Sequence, residues 1–372
     1  MPDRTQALHT RLTAVLNSLP DPSGGTATLD LEQALGDRLG ISEVVAMASG
    51  TMALQGALAA CGIGPGDEVL VPALTVVMTV APVIALGARP VFVDSDPVTL
   101  EVNYADAEAK CTVRTRAIVA VHLWGRMGDP AALETFATEH GLTVVEDAAQ
   151  AIGTARNRQR AGTVGSAGCF SMKDGKILAS AEGGFVVTDE PEIAARVRAW
   201  RNHGQPPPRG EILRAGVATN ARLATPLAAI AHTNLDHLHS LVELRRAQAG
   251  HVTDALTGVP GLRPLSPALG EDWNGYAPLL HLDLPRPRAF AQHLARLGVP
   301  SSTGTFNLVP CDTRPGFTYP GREPCRGAAQ ILDHTLAVIL TEHDTTATLD
   351  RYADVIAHQA DVWAAADERN PR

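Results

Sequence analysis

Lysine is nearly missing from this chain: of its 31 basic residues only Lys110, Lys173 and Lys176 are lysines. Aromatic side chains are scarce too, with 4 Trp, 4 Tyr and 7 Phe among 372 residues. With a net charge of -9 as well, the chain lacks both the basic stripe and the stacking surface that nucleic-acid binding needs. The five cysteines (Cys61, Cys111, Cys169, Cys311, Cys325) are odd in number and show no C-x-x-C spacing. That excludes a zinc signature and a disulfide framework, and it fits reduced thiols. Neither G-x-G-x-x-G nor a Walker A sequence is present, so neither motif points to a dinucleotide or ATP. The opening stretch is charged and has no signal-peptide h-region, and a cytoplasmic location is expected.

One segment imitates a membrane span. Val69 to Ala88 passes twenty residues without a charge. It contains Pro72, Pro82, Gly87 and the polar pair Thr75 and Thr79, and Glu68 and Arg89 flank it closely. A strand, a turn and a buried helix account for the run better than a span does, so a soluble protein with no membrane partner is expected.

What is present reads as a large α/β protein. The hydrophobic fraction is 45%, ample for a sizeable core. Short β-branched runs recur at 44–48, 68–72, 89–94, 117–123, 143–148, 168–172 and 184–189. Helical patterns lie between several of them, at 51–61 and 131–140 for example. Nearly continuous apolar strands alternating with helices predict a mostly parallel sheet of seven strands covered on both faces. The last two runs follow each other so quickly that one of them is expected to be antiparallel. A helix is predicted over 192–200, a long helical region over about 223–256, and further helical pattern over 287–298 and 332–366. The organisation expected is a large domain at 1–245, including an N-terminal helix, and a smaller α+β domain at 246–372.

Three motifs carry chemistry. Ser49-Gly50-Thr51 follows a strand and opens a helix, a junction whose free N–H groups and dipole attract anions; the same residues also serve as a plain N-cap. Asp147, in Glu146-Asp147-Ala148-Ala149-Gln150, ends a strand where ligands of open α/β sheets bind. It can hold a ring nitrogen protonated or cap the next turn. The stretch 168–184, GCFSMKDGKILASAEGG, delivers Ser171 from a strand and then two of the chain's three lysines. Lysines belong on surfaces by default. A desolvated one beside Ile177 and Leu178 is a Schiff-base candidate. A phosphate cradle, an acid for a pyridinium and such a lysine on one sheet are together what pyridoxal phosphate requires.

These stretches resemble the DegT–StrS family of pyridoxal phosphate-dependent aminotransferases, which act on keto-sugars and keto-cyclitols. The resemblance runs through SEVVAMASGTMAL, GIGPGDEVLVPALT, ARPVFVDSDP, TRAIVAVHLWGR, LTVVEDAAQAIG, GCFSMKDGK, EGGFVVTDE and RNHG, covering about residues 31–204 in unbroken order. It implies fold type I and a homodimer with composite active sites. It implies Lys176 as the Schiff-base lysine, with Lys173 at a variable position. Asp147 is then set on the pyridine nitrogen and Gln150 near the ring hydroxyl, with Gly50, Thr51 and Ser171 on the phosphate. Asn220, in ATNAR, matches the family's G-x-N-x-R element, whose Asn reaches the partner's phosphate. Val76 stands where the family commonly stacks an aromatic residue on the ring, and Thr219 and Ala221 replace the tyrosines that usually flank the Asn.

The spacing from Lys176 to Glu182 is similar to that of the cyclitol and amino-hydroxybenzoate branches, one residue shorter than in many nucleotide-sugar members. The activity implied is transfer of an amino group from glutamate or glutamine to a keto-sugar or keto-cyclitol in amino-sugar, aminocyclitol antibiotic or other secondary-metabolite biosynthesis. A dehydratase or aromatising enzyme on the same scaffold and a catalytically idle regulatory homologue are the alternatives. His203 and the 205–215 loop are candidate substrate contacts, and His122 and Trp124 either line the pocket or pack beside it.

Overall fold

The computed structural model describes residues 2–19, 25–204, 218–317 and 323–368. Seven strands form the central sheet: β1 (Glu43–Met47), β2 (Glu68–Pro72), β3 (Arg89–Val93), β4 (Thr115–Val121), β5 (Thr143–Asp147), β6 (Ala167–Ser171) and β7 (Gly184–Thr188). Their spatial order is β1-β7-β6-β5-β4-β2-β3. β6, β5, β4, β2 and β3 pair in parallel, and β7 alone runs antiparallel to both of its neighbours, β1 and β6. The expected antiparallel strand is therefore the last one.

Helices cover the sheet because its strands are apolar on both faces. Every residue of β2 is buried, with Val69, Leu70 and Val71 at 0% exposure, and such a strand needs a layer on each side. The helices of this part are α1 (Pro2–Ser18), α2 (Ala27–Leu39), α3 (Gly50–Ala60), α4 (Val77–Ala85), α5 (Tyr104–Lys110), α6 (Pro130–His140), α7 (Pro191–Arg201) and α8 (Thr225–Asp236). The uncharged run that imitates a span is β2, a turn and α4, as its prolines and threonines predict. No helix among the described residues is long and apolar enough to cross a membrane.

Two departures from the sequence pattern follow. The helical region at 223–256 breaks at His237 into α8 and α9 (Leu238–Leu256). Asn234, in the last turn of α8, turns its amide away from solvent to donate to the carbonyl of Ala179 at 2.6 Å. The stretch 332–366 is not helical throughout. Beyond α10 (Pro287–Arg296), α11 (Arg326–His334) gives way to the strand Thr335–Ala337, and the chain is helical again only in α12 (Thr346–Glu368). The run HTLAVIL at 334–340 satisfies a helix or a strand pattern equally. Pairing with the strand Leu279–Leu282 decides this one.

The chain after α9 builds a second layer. Leu262–Pro264, Leu279–Leu282 and Thr335–Ala337 form an antiparallel three-stranded sheet. Leu256, Leu280, Phe290, Leu336 and Ile356 enclose an apolar cluster there, separate from that of the large sheet. Tyr276, Leu308 and Cys311, by contrast, pack into the large sheet's own cluster. The C-terminal part thus leans on the end of the sheet where β5 and β6 finish.

Candidate active site

The antiparallel strand explains how the first motif is built. β7 lies between β1 and β6, so its first residue, Gly184, pairs with Met47 at the end of β1 and with Ser171 at the end of β6. Three chain segments therefore meet at one point. A Cβ on Gly184 would lie 2.5 Å from the backbone nitrogen of Gly50, and a Cβ on Gly50 would lie 2.8 Å from that of Ser171. Only glycine allows either approach. Ser49 caps α3 by accepting from the N–H of Met52 at 3.1 Å. The N–H groups of Gly50 and Thr51 open the helix with no carbonyl a turn behind them. Ser49 serves as the cap, and the first N–H groups of the helix, at Gly50 and Thr51, lie at its positive dipole end with Gly50 against Ser171.

At the end of β5 the pleat separates two neighbouring acids. Asp147 is 6% exposed, and its Oδ2 accepts from the Thr79 hydroxyl at 2.6 Å. Thr79 is in turn 2.7 Å from the hydroxyl of Thr75. The N–H of Ala149 donates to Oδ1 at 3.2 Å. These donors are all neutral, so they orient the carboxyl group without neutralising it. Glu146 points through the opposite face and is fully buried. His122 Nε2 lies 2.8 Å from it, and the N–H groups of Gly162, Val164 and Gly165 donate to it at 2.8, 2.6 and 2.9 Å. Burial by itself pushes a carboxyl up, but these hydrogen bonds and the His122 charge hold Glu146 below its ordinary value of 4.5. Of the two acids, Glu146 is consumed by the protein and Asp147 is presented.

The two lysines also part company. Lys173 is exposed and Lys176 half-buried. The loop that carries them is closed by backbone hydrogen bonds from Met172 to Gly183, Ser180 to Met172 and Asp174 to Ala181, at 2.8, 2.7 and 3.1 Å. Lys176 Nζ donates to the hydroxyl of Tyr276 at 3.3 Å. Tyr276 comes from the C-terminal part and is held in place by Asn274. The Asn274 amide donates to the carbonyls of Gln150 and Ile152 at 2.9 and 3.0 Å and accepts from the N–H of Tyr276 at 3.0 Å. Gln150 Oε1 accepts from the N–H of Trp124 at 2.6 Å, which leaves the NH2 of the same amide as a donor.

The remaining expectations fall as follows. Val76 is half-buried at the start of α4, one residue from Thr75. His122 and Trp124 pack: His122 serves Glu146, and Trp124 is 2% exposed with its indole N–H on Ser302 at 3.2 Å. Asn220 is exposed. The carbonyl of the next residue, Ala221, accepts from the N–H of Ala48 at 2.8 Å, which puts Asn220 beside the rim of the Ser49–Gly50 junction. His203 is exposed with φ at +60°, and the 205–215 loop lies outside the described residues. Sequence reading missed Thr79 and Tyr276 as parts of the site. For Thr79 a signal existed, two threonines four apart in an otherwise apolar run. For Tyr276, a hundred residues from its lysine, none did.

Comparison with known proteins identifies the family. The chain is similar, at 34% identity over 88% of its length, to the UDP-N-acetyl-3-dehydro-alpha-D-glucosamine 3-aminotransferase of Acidithiobacillus ferrooxidans, of which 86% is covered. It is 40% identical over 68% of its length to the L-glutamine:2-deoxy-scyllo-inosose aminotransferase of Streptomyces fradiae, spanning 62% of that enzyme. Among solved structures it superposes on S. venezuelae DesV with a TM-score of 0.84 and 30% identity, covering 96% of this chain and 95% of that one. The sequence model of one family matches residues 2–357, nearly the whole chain. A parallel sheet with one reversed strand, a helix-capped cradle and a buried acid near a scarce lysine thus belong to a member of the DegT/DnrJ/EryC1/StrS aminotransferase family.

Proposed function

We propose that this aminotransferase moves an amino group from glutamate or glutamine to the ketone of a keto-cyclitol or keto-sugar, with Lys176 as its catalytic residue. The observation that carries the reading is that Asp147 and Ser171 end the paired strands β5 and β6, Gly50 abuts Ser171, and Tyr276, the partner of Lys176, is held by Asn274 on the carbonyl of Gln150 just after Asp147. Pyridoxal phosphate is the cofactor of the family, and when bound it supplies the electron sink through which an amine's α-carbon loses a proton. The residues present fit it. Gly50, Thr51 and Ser171 form an anion cradle that any Cβ at position 50 would fill. Asp147, oriented by Thr79, suits a protonated ring nitrogen. The NH2 of Gln150 is turned out to donate to a ring hydroxyl, and Val76 covers the ring face by apolar contact alone. Lys176 takes the proton from the donor's carbon and returns it to the acceptor's, acting as base and then as acid.

Several finer points belong to the same reading. Asn220, exposed in the single chain, completes the phosphate site of a partner subunit in a homodimer, and His203 lies at the acceptor's side. The large domain takes residues 1–245 and the small one 246–372, although α9 runs through that boundary. The enzyme works in the cytoplasm in aminocyclitol or amino-sugar antibiotic biosynthesis. The Lys176–Glu182 spacing and the 40% identity to a deoxy-inosose aminotransferase favour a cyclitol over a nucleotide-linked sugar. The test is to incubate the purified enzyme with amide- or amine-labelled glutamine and either 2-deoxy-scyllo-inosose or a UDP-linked 3-keto-sugar. Transfer of the amine label to the cyclitol is the expected result. A visible cofactor band with transfer to the nucleotide sugar alone would overturn the cyclitol choice, and transfer to neither would overturn the reading as a whole.

A further inference from the structure

Thr79, which donates to Asp147, is the last member of a longer chain of hydrogen bonds. A hydroxyl has one hydrogen to give, and that of Thr79 goes to the Asp147 carboxylate at 2.6 Å. The 2.7 Å contact between the hydroxyls of Thr75 and Thr79 is therefore donated by Thr75. The two hydroxyl dipoles then point the same way, each strengthening the next, with their positive ends toward the acid. Both threonines are 0% exposed, so water does not compete for either bond.

Thr75 is itself held by the C-terminal part of the chain. It precedes α4, whose N-cap is Val76, and its carbonyl stays out of the helix. The thiol of Cys311 donates to that carbonyl at 3.2 Å. The N–H of Cys311 donates at 2.9 Å to the carbonyl of Ala73, which also closes the turn by accepting from the N–H of Thr75 at 3.0 Å. One fully buried residue thus grips the 73–75 turn at both ends. Burial pushes the Cys311 thiol up to about 12, so it remains an S–H donor at neutral pH. The grip is anchored in turn. Asp312 accepts from the N–H of Cys325 at 2.8 Å, and Gly327 and Ala328 donate to Asp94, just beyond β3, at 2.9 and 2.8 Å.

Resting on the reading of Asp147 as the partner of the ring nitrogen, we propose that Thr75 and Cys311 are positioning residues that keep the Asp147 carboxylate unprotonated. A carboxylate and a pyridine nitrogen that face each other share one proton, and it settles on the more basic of the two. Each hydrogen bond donated to the carboxylate stabilises its charge and lowers its basicity, which leaves the proton on the ring. Thr75 supplies this through Thr79. Cys311 supplies it at one further remove, by fixing where Thr75 stands. The C-terminal part, which brings Tyr276 to Lys176, thereby also governs the acid.

The readout is the NMR resonance of the ring nitrogen in holoenzyme carrying isotopically labelled pyridoxal phosphate, which reports whether that nitrogen bears the proton. Thr75→Val keeps the side chain's shape and removes its hydroxyl. It should move the proton equilibrium about tenfold toward the acid, the size of one hydrogen bond to a charged group, and shift the resonance toward the neutral-pyridine position. Cys311→Ala should act in the same direction by about threefold, and Cys311→Ser, which keeps a donor, should sit near wild type. Leu308→Ala is the control. It removes packing from the same apolar cluster, so it should lower the urea midpoint and leave the resonance in place. An unmoved resonance in folded Thr75→Val would overturn the proposal, as would a shift in Leu308→Ala as large as that in Cys311→Ala. Should Thr75→Val fold poorly, Cys311→Ala decides alone, and an unmoved resonance there is equally fatal. Asp147→Asn separates this proposal from the reading beneath it. If it shifts the resonance and the Thr75 and Cys311 variants do not, only the relay falls. If it too leaves the resonance unmoved, the acid is not at the ring nitrogen and both fall.

Discussion

The two faces of the sheet at the end of β5 hold adjacent carboxylic acids in opposite circumstances. Glu146 is enclosed by His122 and three backbone N–H groups, which occupy both its oxygens. Asp147 receives one hydroxyl and one distant N–H and lies beside the strand that leads into the lysine loop. The difference is not in the acids but in what each face offers. Behind Glu146 a glycine-rich turn folds back and supplies donors. In front of Asp147 the side-chain donor is Thr79 of α4, itself bonded to Thr75 in the turn before it. A buried acid with its lone pairs filled is a structural charge, and one with lone pairs to spare is available to a cofactor.

Substitutions at the two positions should therefore separate activity from stability. Asp147→Asn should lower turnover by about a thousandfold, on the order of 4 kcal/mol, with little change in the urea midpoint, since an amide still accepts from Thr79. Near-normal turnover in the folded protein would make Asp147 as structural as its neighbour. Glu146→Gln should do the reverse, costing about 3 kcal/mol of stability because it breaks a buried charged network. What remains folded should turn over almost normally. An equal loss in both quantities would erase the contrast.

The same comparison has a pH signature. Glu146 titrates below its ordinary 4.5 in the folded protein. Its contribution is then complete above that value and is lost as the pH falls from 4.5 toward the folded-state value. The stability gap between wild type and Glu146→Gln should accordingly hold steady above about pH 4.5 and narrow as the pH falls below it, as read from denaturant midpoints. A gap that widens on acidification would mean the sign is wrong. The smallest effect is expected at Thr79→Val, which removes one hydrogen bond to Asp147 and leaves its packing. A loss of about 1 kcal/mol, appearing as weaker cofactor retention on dialysis more than as global instability, is the expected result. Unaltered retention would show that the backbone alone orients Asp147.

Much of this site was legible because its parts are local in sequence. The cradle is three consecutive residues at a strand–helix junction, the acid ends a recognisable strand, and the lysine lies on the loop just after another. That one of the last two strands is reversed was readable from the short spacing between 168–172 and 184–189, but not that it is β7. What could not be read depends on distance along the chain. Thr79 meets Asp147 across 68 positions and Tyr276 meets Lys176 across 100, and neither pairing leaves a periodic trace. The strand Thr335–Ala337 was hidden for a related reason: pairing with Leu279–Leu282 decided its state, and its own pattern did not.

The central claim is that Lys176, and not Lys173, bonds to the cofactor. Both lysines lie on one short loop, and the structure distinguishes them by exposure and by the Tyr276 contact. Borohydride reduction of the yellow holoenzyme, followed by proteolysis and mass spectrometry, reads the answer directly. The account predicts the reduced cofactor adduct on Lys176, together with loss of the visible band and of transamination in Lys176→Ala. An adduct on Lys173, or a Lys176→Ala enzyme that still transaminates, would contradict it.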